Sequence, residues 1–140
     1  MSEEQAQELL YQMQMLESYF AELTQKENSL LNVLRDSTSA IESLKELGEK
    51  KESETLVPVG IGVFVKSKIS SEDKFLLNVG AGVAIEKDKN STINFLESRI
   101  KEIEVALQET MVQKQSIASQ LERGKVEINR IAQSISKPKN

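Results

Sequence analysis

The sequence predicts an α+β protein that is mostly α: a long antiparallel coiled-coil hairpin whose two helices are joined by two short β-hairpins. Three observations carry this prediction. Apolar residues recur at alternating steps of three and four at both ends of the 140-residue chain. Between those ends the period changes to two, and a Gly-x-Gly run interrupts each of two alternating segments. Only 4% of the residues are aromatic, so little material remains for a globular core once two long helices are drawn, and elongation is expected.

In the first periodic segment the seam is Leu9, Met13, Leu16, Phe20, Leu23, Leu30, Leu34, Ile41 and Leu44, with polar skips at Glu27 and Ser37. Ser2-Glu3-Glu4-Gln5 fits a capping box, in which the Ser hydroxyl and the Gln side chain each satisfy an orphan N–H of the first turn. The spacing predicts a helix over about residues 3–47, because Gly48 can take the left-handed C-cap conformation and Glu49 to Glu54 are polar without a period. At 1.5 Å per residue such a helix is about 65 to 70 Å long.

The middle segment, 55–86, reads as strands. Val57, Val59, Ile61, Val63, Val65 and Ile69 alternate on one face of the first run, and Phe75, Leu77, Val79, Ala81, Val83 and Ile85 on one face of the second. Ser70 to Lys74 supply turn residues between them. Each run is too long for one average strand, so Gly60-Ile61-Gly62 and Gly80-Ala81-Gly82 are read as turns or sharp bends, giving four short strands. Pro58 lacks an N–H, so the first strand is expected at an edge or with the proline N facing away from its partner.

The second helix is expected over about residues 92–136, capped by Asn90, Ser91 or Thr92 and stopped by Pro138. Its stripe is Ile93, Leu96, Ile100, Ile103, Leu107, Ile117, Leu121, Ile128, Ile131 and Ile135, interrupted by Thr110, Lys114 and Gly124. Equal helices joined by strands that fold back are expected to lie antiparallel, with facing residue numbers summing to about 141. Glu27 then faces Lys114, and Gly124 falls near Leu16 and Phe20. The whole chain, 1–140, is read as one domain.

Composition narrows the function classes. With no Cys and no His, disulfides, thiol chemistry, Cys/His zinc sites and the usual neutral-pH proton shuttle are excluded. No enzyme, cofactor or metal is expected. No apolar run approaches the roughly 20 residues that span a bilayer, and the chain opens with Ser2-Glu3-Glu4, so a soluble, intracellular protein without a membrane partner is expected. Residues 1–53 carry eleven acids against five bases, whereas 92–140 carry six acids against eight bases, a complementarity that favours pairing of the two helices. Without a basic face interleaved with aromatics, nucleic acid is not expected as a partner.

The motif-like runs have plainer explanations. Gly80-Ala81-Gly82-Val83-Ala84-Ile85 lacks the third glycine and the strand-to-helix context of a dinucleotide loop. Asn90-Ser91-Thr92 is a formal glycosylation sequon but serves as a helix cap, and Glu97, Glu102, Glu104 and Glu109 fit a solvated helix face. Two surfaces remain. Near the N-terminus Leu10, Tyr11, Met15 and Tyr19 lie outside the seam, beside Leu9, Met13 and Leu16 on it, and Ile128, Ile131 and Ile135 face them. A two-helix pair cannot bury them all, which leaves an apolar tip that accepts many shapes, a locally broader seam, or a fixed partner helix. The strands leave edges and Val/Ile faces unpaired, and hairpins from several chains closing into an oligomeric β-barrel would remove both.

With that pattern on the page, the chain resembles the prefoldin family, and within it the α class of archaeal members. The carriers are the helix, strands, helix order, Leu56-Val57-Pro58-Val59-Gly60 followed by Val63-Phe64-Val65, and Asp73-Lys74 leading to Val79-Gly80-Ala81-Gly82 and Glu86-Lys87. The resemblance implies a subunit of a hexamer of two α and four β subunits, with a double β-barrel body and six coiled-coil arms. It also implies a cytoplasmic chaperone that holds non-native polypeptides at the arm ends without ATP and passes them to a group II chaperonin. On this chain the barrel residues would be Val57, Val59, Ile61, Val63, Val65, Phe75, Leu77, Val79, Val83 and Ile85, and the client-binding tip Leu9, Leu10, Met13, Met15, Ile128, Ile131 and Ile135. Changing Leu10, Met13 and Met15 together to Ser is expected to spare assembly and weaken suppression of aggregation. A coiled-coil scaffold or adaptor for one fixed partner is the competing reading.

Overall fold

Each helix keeps its apolar stripe on one side along its length, and that stripe organises the fold. The computed structural model describes residues 3–47, 52–70 and 72–136. Ser2 of the expected capping box, the Gly48 C-cap, Ser71 of the inter-hairpin turn and the Pro138 stop lie outside the described residues. The element order is α1 (Glu3–Glu46), β1 (Glu52–Gly60), β2 (Val63–Ser70), β3 (Phe75–Gly80), β4 (Val83–Lys87) and α2 (Lys89–Ser136). Two compact units result, one of Met1–Asn32 with Val105–Asn140 and one of Val33–Glu104; they are called here the terminal unit and the hairpin unit.

In the terminal unit, Met13, Leu23, Leu107, Ile117 and Ile131 are buried. The expected interruptions lie on the same inward stripe. Thr110 is fully buried, and its hydroxyl donates to the Ala106 carbonyl at 2.8 Å, so the seam closes over it without an unsatisfied polar atom. Lys114 Nζ lies 3.5 Å from Glu27 Oε1, pairing the two charged seam positions, and 5.0 Å from the centre of the Phe20 ring. Gly124 shares the lining of one groove with Leu16, as expected, but Met13 is the side chain nearest to it. A Cβ there would lie 2.8 Å from Met13 Sδ, so the flexible thioether is what fills the space over the glycine.

In the hairpin unit, Ile41 and Leu44 of α1 and Ile93 of α2 form a buried cluster on which Phe75, Leu96 and Ile100 pack. The N-terminus of α2 differs from the expected one. Asp88, not Asn90, Ser91 or Thr92, is the N-cap: its Oδ1 accepts from the Ser91 amide at 2.7 Å, and its carbonyl accepts from the Thr92 amide at 3.0 Å and hydroxyl at 2.7 Å. Those hydrogen bonds from Ser91, backbone first and then hydroxyl, hold the Asp88 carboxyl below its ordinary value.

The four strands form two separate antiparallel hairpins, β1 with β2 and β3 with β4. Both are built alike. Two-residue turns at Ile61-Gly62 (φ 46° and 75°) and Ala81-Gly82 (φ 53° and 74°) have positive φ at both central positions, the requirement of a type I′ turn that matches strand twist. Ahead of each turn the register slips by one residue, between Pro58 and Gly60 and between Asn78 and Gly80, which leaves Val59 and Val79 as bulged residues. The Asn78 side-chain carbonyl accepts from the Gly80 amide at 3.0 Å across the second bulge. β1 starts at Glu52, earlier than the expected Thr55, because Glu52, Ser53 and Glu54 pair with Ser70, Ile69 and Lys68. Opposed Glu54 and Lys68 help extend a ladder that apolar alternation does not mark. Between the hairpins Asp73 Oδ2 accepts from the Ser70 amide at 2.8 Å, closing the connection.

Candidate functional site

The hairpins form the first candidate surface. Directly opposed residues share a face, so Val57 with Val65 and Leu77 with Ile85 project to one side of their sheets, joined by Val63 and Val83 next to the turns. All of these except half-buried Leu77 are exposed, as are the bulged Val59 and Val79. Two of the expected strand residues play other parts. Ile61 occupies the turn apex, fully exposed and in the left-handed region, where a β-branched side chain is strained. Phe75 is half-buried against Ile41, Leu44 and Ile93, so its ring packs within the chain, on the helices. The opposite faces are apolar as well: Leu56, Phe64 and Leu76 are exposed there. Period-two reading assigned one face per run and passed over these even-numbered positions, although Leu56, Phe64 and Leu76 are plain in the sequence.

Each hairpin is therefore a two-stranded ribbon with apolar side chains on both sides and a free edge on every strand. Such a ribbon is marginal by itself. Burying a fully exposed Val or Leu releases about 1.5 to 3 kcal/mol, so covering either face is strongly favoured.

The second candidate surface lies in the terminal unit, and the structure divides the expected tip residues. Met13 and Ile131, 7% and 4% exposed, are core residues. Leu9 and Ile128 are half-buried at the seam. Leu10, Met15 and Ile135 are exposed, and Tyr11 and Tyr19 are exposed beside Met15. The triple serine change is accordingly mis-aimed at Met13, whose loss would open the seam over Gly124 and leave the surface intact. Outside the seam, α2 adds the exposed side chains of Met111, Val112 and Val126 in this unit, which a stripe-centred reading leaves out. Its Glu127 carboxyl is held below the ordinary value by the Arg130 guanidinium, whose Nε donates to Oε2 at 3.2 Å.

Among the described residues no group of three or more acidic side chains is placed to hold a metal ion, and no helix is long and apolar enough to cross a membrane. The fold defines a class: two long helices joined by two small antiparallel β-hairpins, with apolar side chains left exposed on both. Comparison with known proteins narrows that class. The family model described as prefoldin subunit matches residues 3–134. Prefoldin subunit alpha of Nitrosopumilus maritimus is 56% identical over 96% of this chain and 93% of its own length. Prefoldin subunit alpha of Pyrococcus horikoshii is 32% identical over 92% of this chain and 86% of its own. The crystal structure of the prefoldin beta subunit from Thermococcus strain KS-1 shares the fold, with a TM-score of 0.65 at 16% identity over 96% of this chain and 95% of that one. Filamentous prefoldin from Methanocaldococcus jannaschii, solved by cryo-EM, has a TM-score of 0.55 at 20% identity, covering 90% of this chain and 99% of that one. The chain belongs to the prefoldin family, as a chaperone subunit of the alpha type.

Proposed function

We propose that this chain is the α subunit of a cytoplasmic hexamer of two α and four β subunits, an ATP-independent holdase. It captures non-native polypeptides at the free ends of its helices and passes them to a group II chaperonin. The observation that carries the reading is the double surplus of apolar surface: hairpins with exposed apolar side chains on both faces, and a terminal unit whose seam leaves Leu10, Met15 and Ile135 outside. Val57, Val59, Val63, Val65, Leu77, Val79, Val83 and Ile85 serve assembly, with Leu56, Phe64 and Leu76 on the second face. Leu10, Met15 and Ile135 contact clients, flanked by half-buried Leu9 and Ile128. Methionine and leucine suit that task, since flexible apolar side chains repack against many shapes. No catalytic step is assigned to the chain.

The test has two parts. Native mass spectrometry of the complex recovered with this chain should give six chains, two of them this one. Dilution of two unrelated denatured proteins should then show aggregation suppressed by the complex without nucleotide, with no binding of the same proteins when native. A monomer, or stoichiometric binding of one folded protein only, would overturn the reading in favour of a scaffold.

A further inference from the structure

We infer that the outer stripe Tyr11–Met15–Tyr19 of α1 selects, among unfolded segments, those that carry Lys or Arg beside an apolar side chain. The inference deepens the holdase reading and rests on it. Spaced four residues apart, the three side chains line one flank of the helix, 63%, 58% and 44% exposed. With Gln14, Ser18 and Glu22 they line a shallow groove of about 400 Å³. The same helical spacing continues the stripe through Glu8 and Glu4 at one end and Glu22 at the other.

The charge of this segment is one-sided. Residues 1–25 contain five glutamates and no lysine or arginine, the first base being Lys26. Among the described residues, Glu4, Glu8 and Glu22 take part in no ion pair. α2 contributes four bases to the same unit: Lys114 is engaged by Glu27, Arg130 by Glu127, and Arg123 and Lys125 are the two that remain, against the five glutamates of residues 1–25. The stripe thus offers two phenol faces and a thioether inside an acidic border. Aromatic faces attract cations, methionine accepts varied apolar groups, and the carboxylates add long-range attraction for positive charge. A second copy of this chain would set glutamates against glutamates and is disfavoured. An acidic segment is repelled in the same way. From Glu4 to Glu22 the stripe runs about 27 Å, the span of about eight extended residues.

The probes are three ten-residue peptides with the same apolar residues and two variable positions, filled by Lys, Ser or Glu, titrated by fluorescence anisotropy against the assembled complex. At low salt the Lys peptide should bind about 10-fold tighter than the Glu peptide, and the ratio should fall to about 2-fold near 0.5 M salt. In the variant Glu4→Gln/Glu8→Gln/Glu22→Gln the ratio should approach one while the Ser peptide is unaffected. Tyr11→Ser/Tyr19→Ser should weaken all three. Equal affinities in the unmodified complex, a ratio unchanged in the Gln variant, or no peptide bound while denatured clients are still protected would each overturn the inference and leave the holdase reading standing. Failure to bind peptides together with failure to protect any client would overturn both.

Discussion

Gly124→Ala tests how tightly the seam of the terminal unit is packed. Helix propensity favours the change by about 1 kcal/mol, because alanine loses less backbone entropy than glycine on folding. Packing opposes it. The added Cβ would lie 2.8 Å from Met13 Sδ and 3.0 Å from its Cγ, so the thioether must shift, while Cε at 3.4 Å is in ordinary contact. Met13 is 7% exposed, and displacing it toward solvent forfeits a large part of the roughly 1.5 to 3 kcal/mol that its burial contributes. The two terms leave a net destabilisation of about 1 kcal/mol, or about 3 °C in Tm for a chain of this size. In a Met13→Ala background the obstacle is gone, and Gly124→Ala should stabilise by about 1 kcal/mol. The sign therefore reverses, with a coupling of about 2 kcal/mol between positions 13 and 124. Urea denaturation of the assembled protein, followed by far-UV circular dichroism for the four members of the cycle, measures it. An equal effect of Gly124→Ala in both backgrounds would refute the close contact.

Three further outcomes are expected. Leu10→Ser/Met15→Ser should leave native mass and melting temperature unchanged and raise the amount of complex needed to suppress client aggregation; unchanged holdase activity would exclude these two side chains from the client surface. Glu27→Lys should destabilise by about 1 kcal/mol, between the values of surface and buried pairs, and adding Lys114→Glu should restore most of the loss, because the pair is partly shielded at the seam. Failure of the double exchange to restore stability would assign the cost to packing instead. The Asp88 carboxyl is held below its ordinary value in the folded state, so its stabilisation of α2 is complete above that value and disappears as pH falls through the lowered one. The protection factor of the Ser91 amide, its intrinsic exchange rate divided by the observed one at the same pH, should fall on acidification in the unmodified chain, and in Asp88→Ala it should be low at every pH; a protection factor that does not change with pH in the unmodified chain would deny Asp88 the capping role.

Residues with a strong period were legible without coordinates. Leu23, Ile41, Ile103 and Ile117 are buried where heptad spacing puts them, and the Glu27–Lys114 pairing followed from antiparallel arithmetic. What escaped depends on choices among neighbours of similar chemistry. Asp88, Asn90, Ser91 and Thr92 can all cap a helix, and only the backbone path out of β4 selects Asp88. The bulges at Val59 and Val79 add one residue to each first strand, which no alternation pattern reveals. That Met13 rather than Leu16 or Phe20 fills the space over Gly124 was also not readable from spacing alone. The second apolar face of the hairpins was written in Leu56, Phe64 and Leu76 but hidden by the convention that a strand has one greasy side.

The free edge on every strand bears on the life of the chain before assembly. A newly made copy, with uncovered ribbons and apolar side chains on both faces, is itself prone to edge-to-edge and face-to-face association. Its production must keep pace with that of its covering partners, since any excess is aggregation-prone. A cell that overproduces this chain alone would add to the load its chaperones carry.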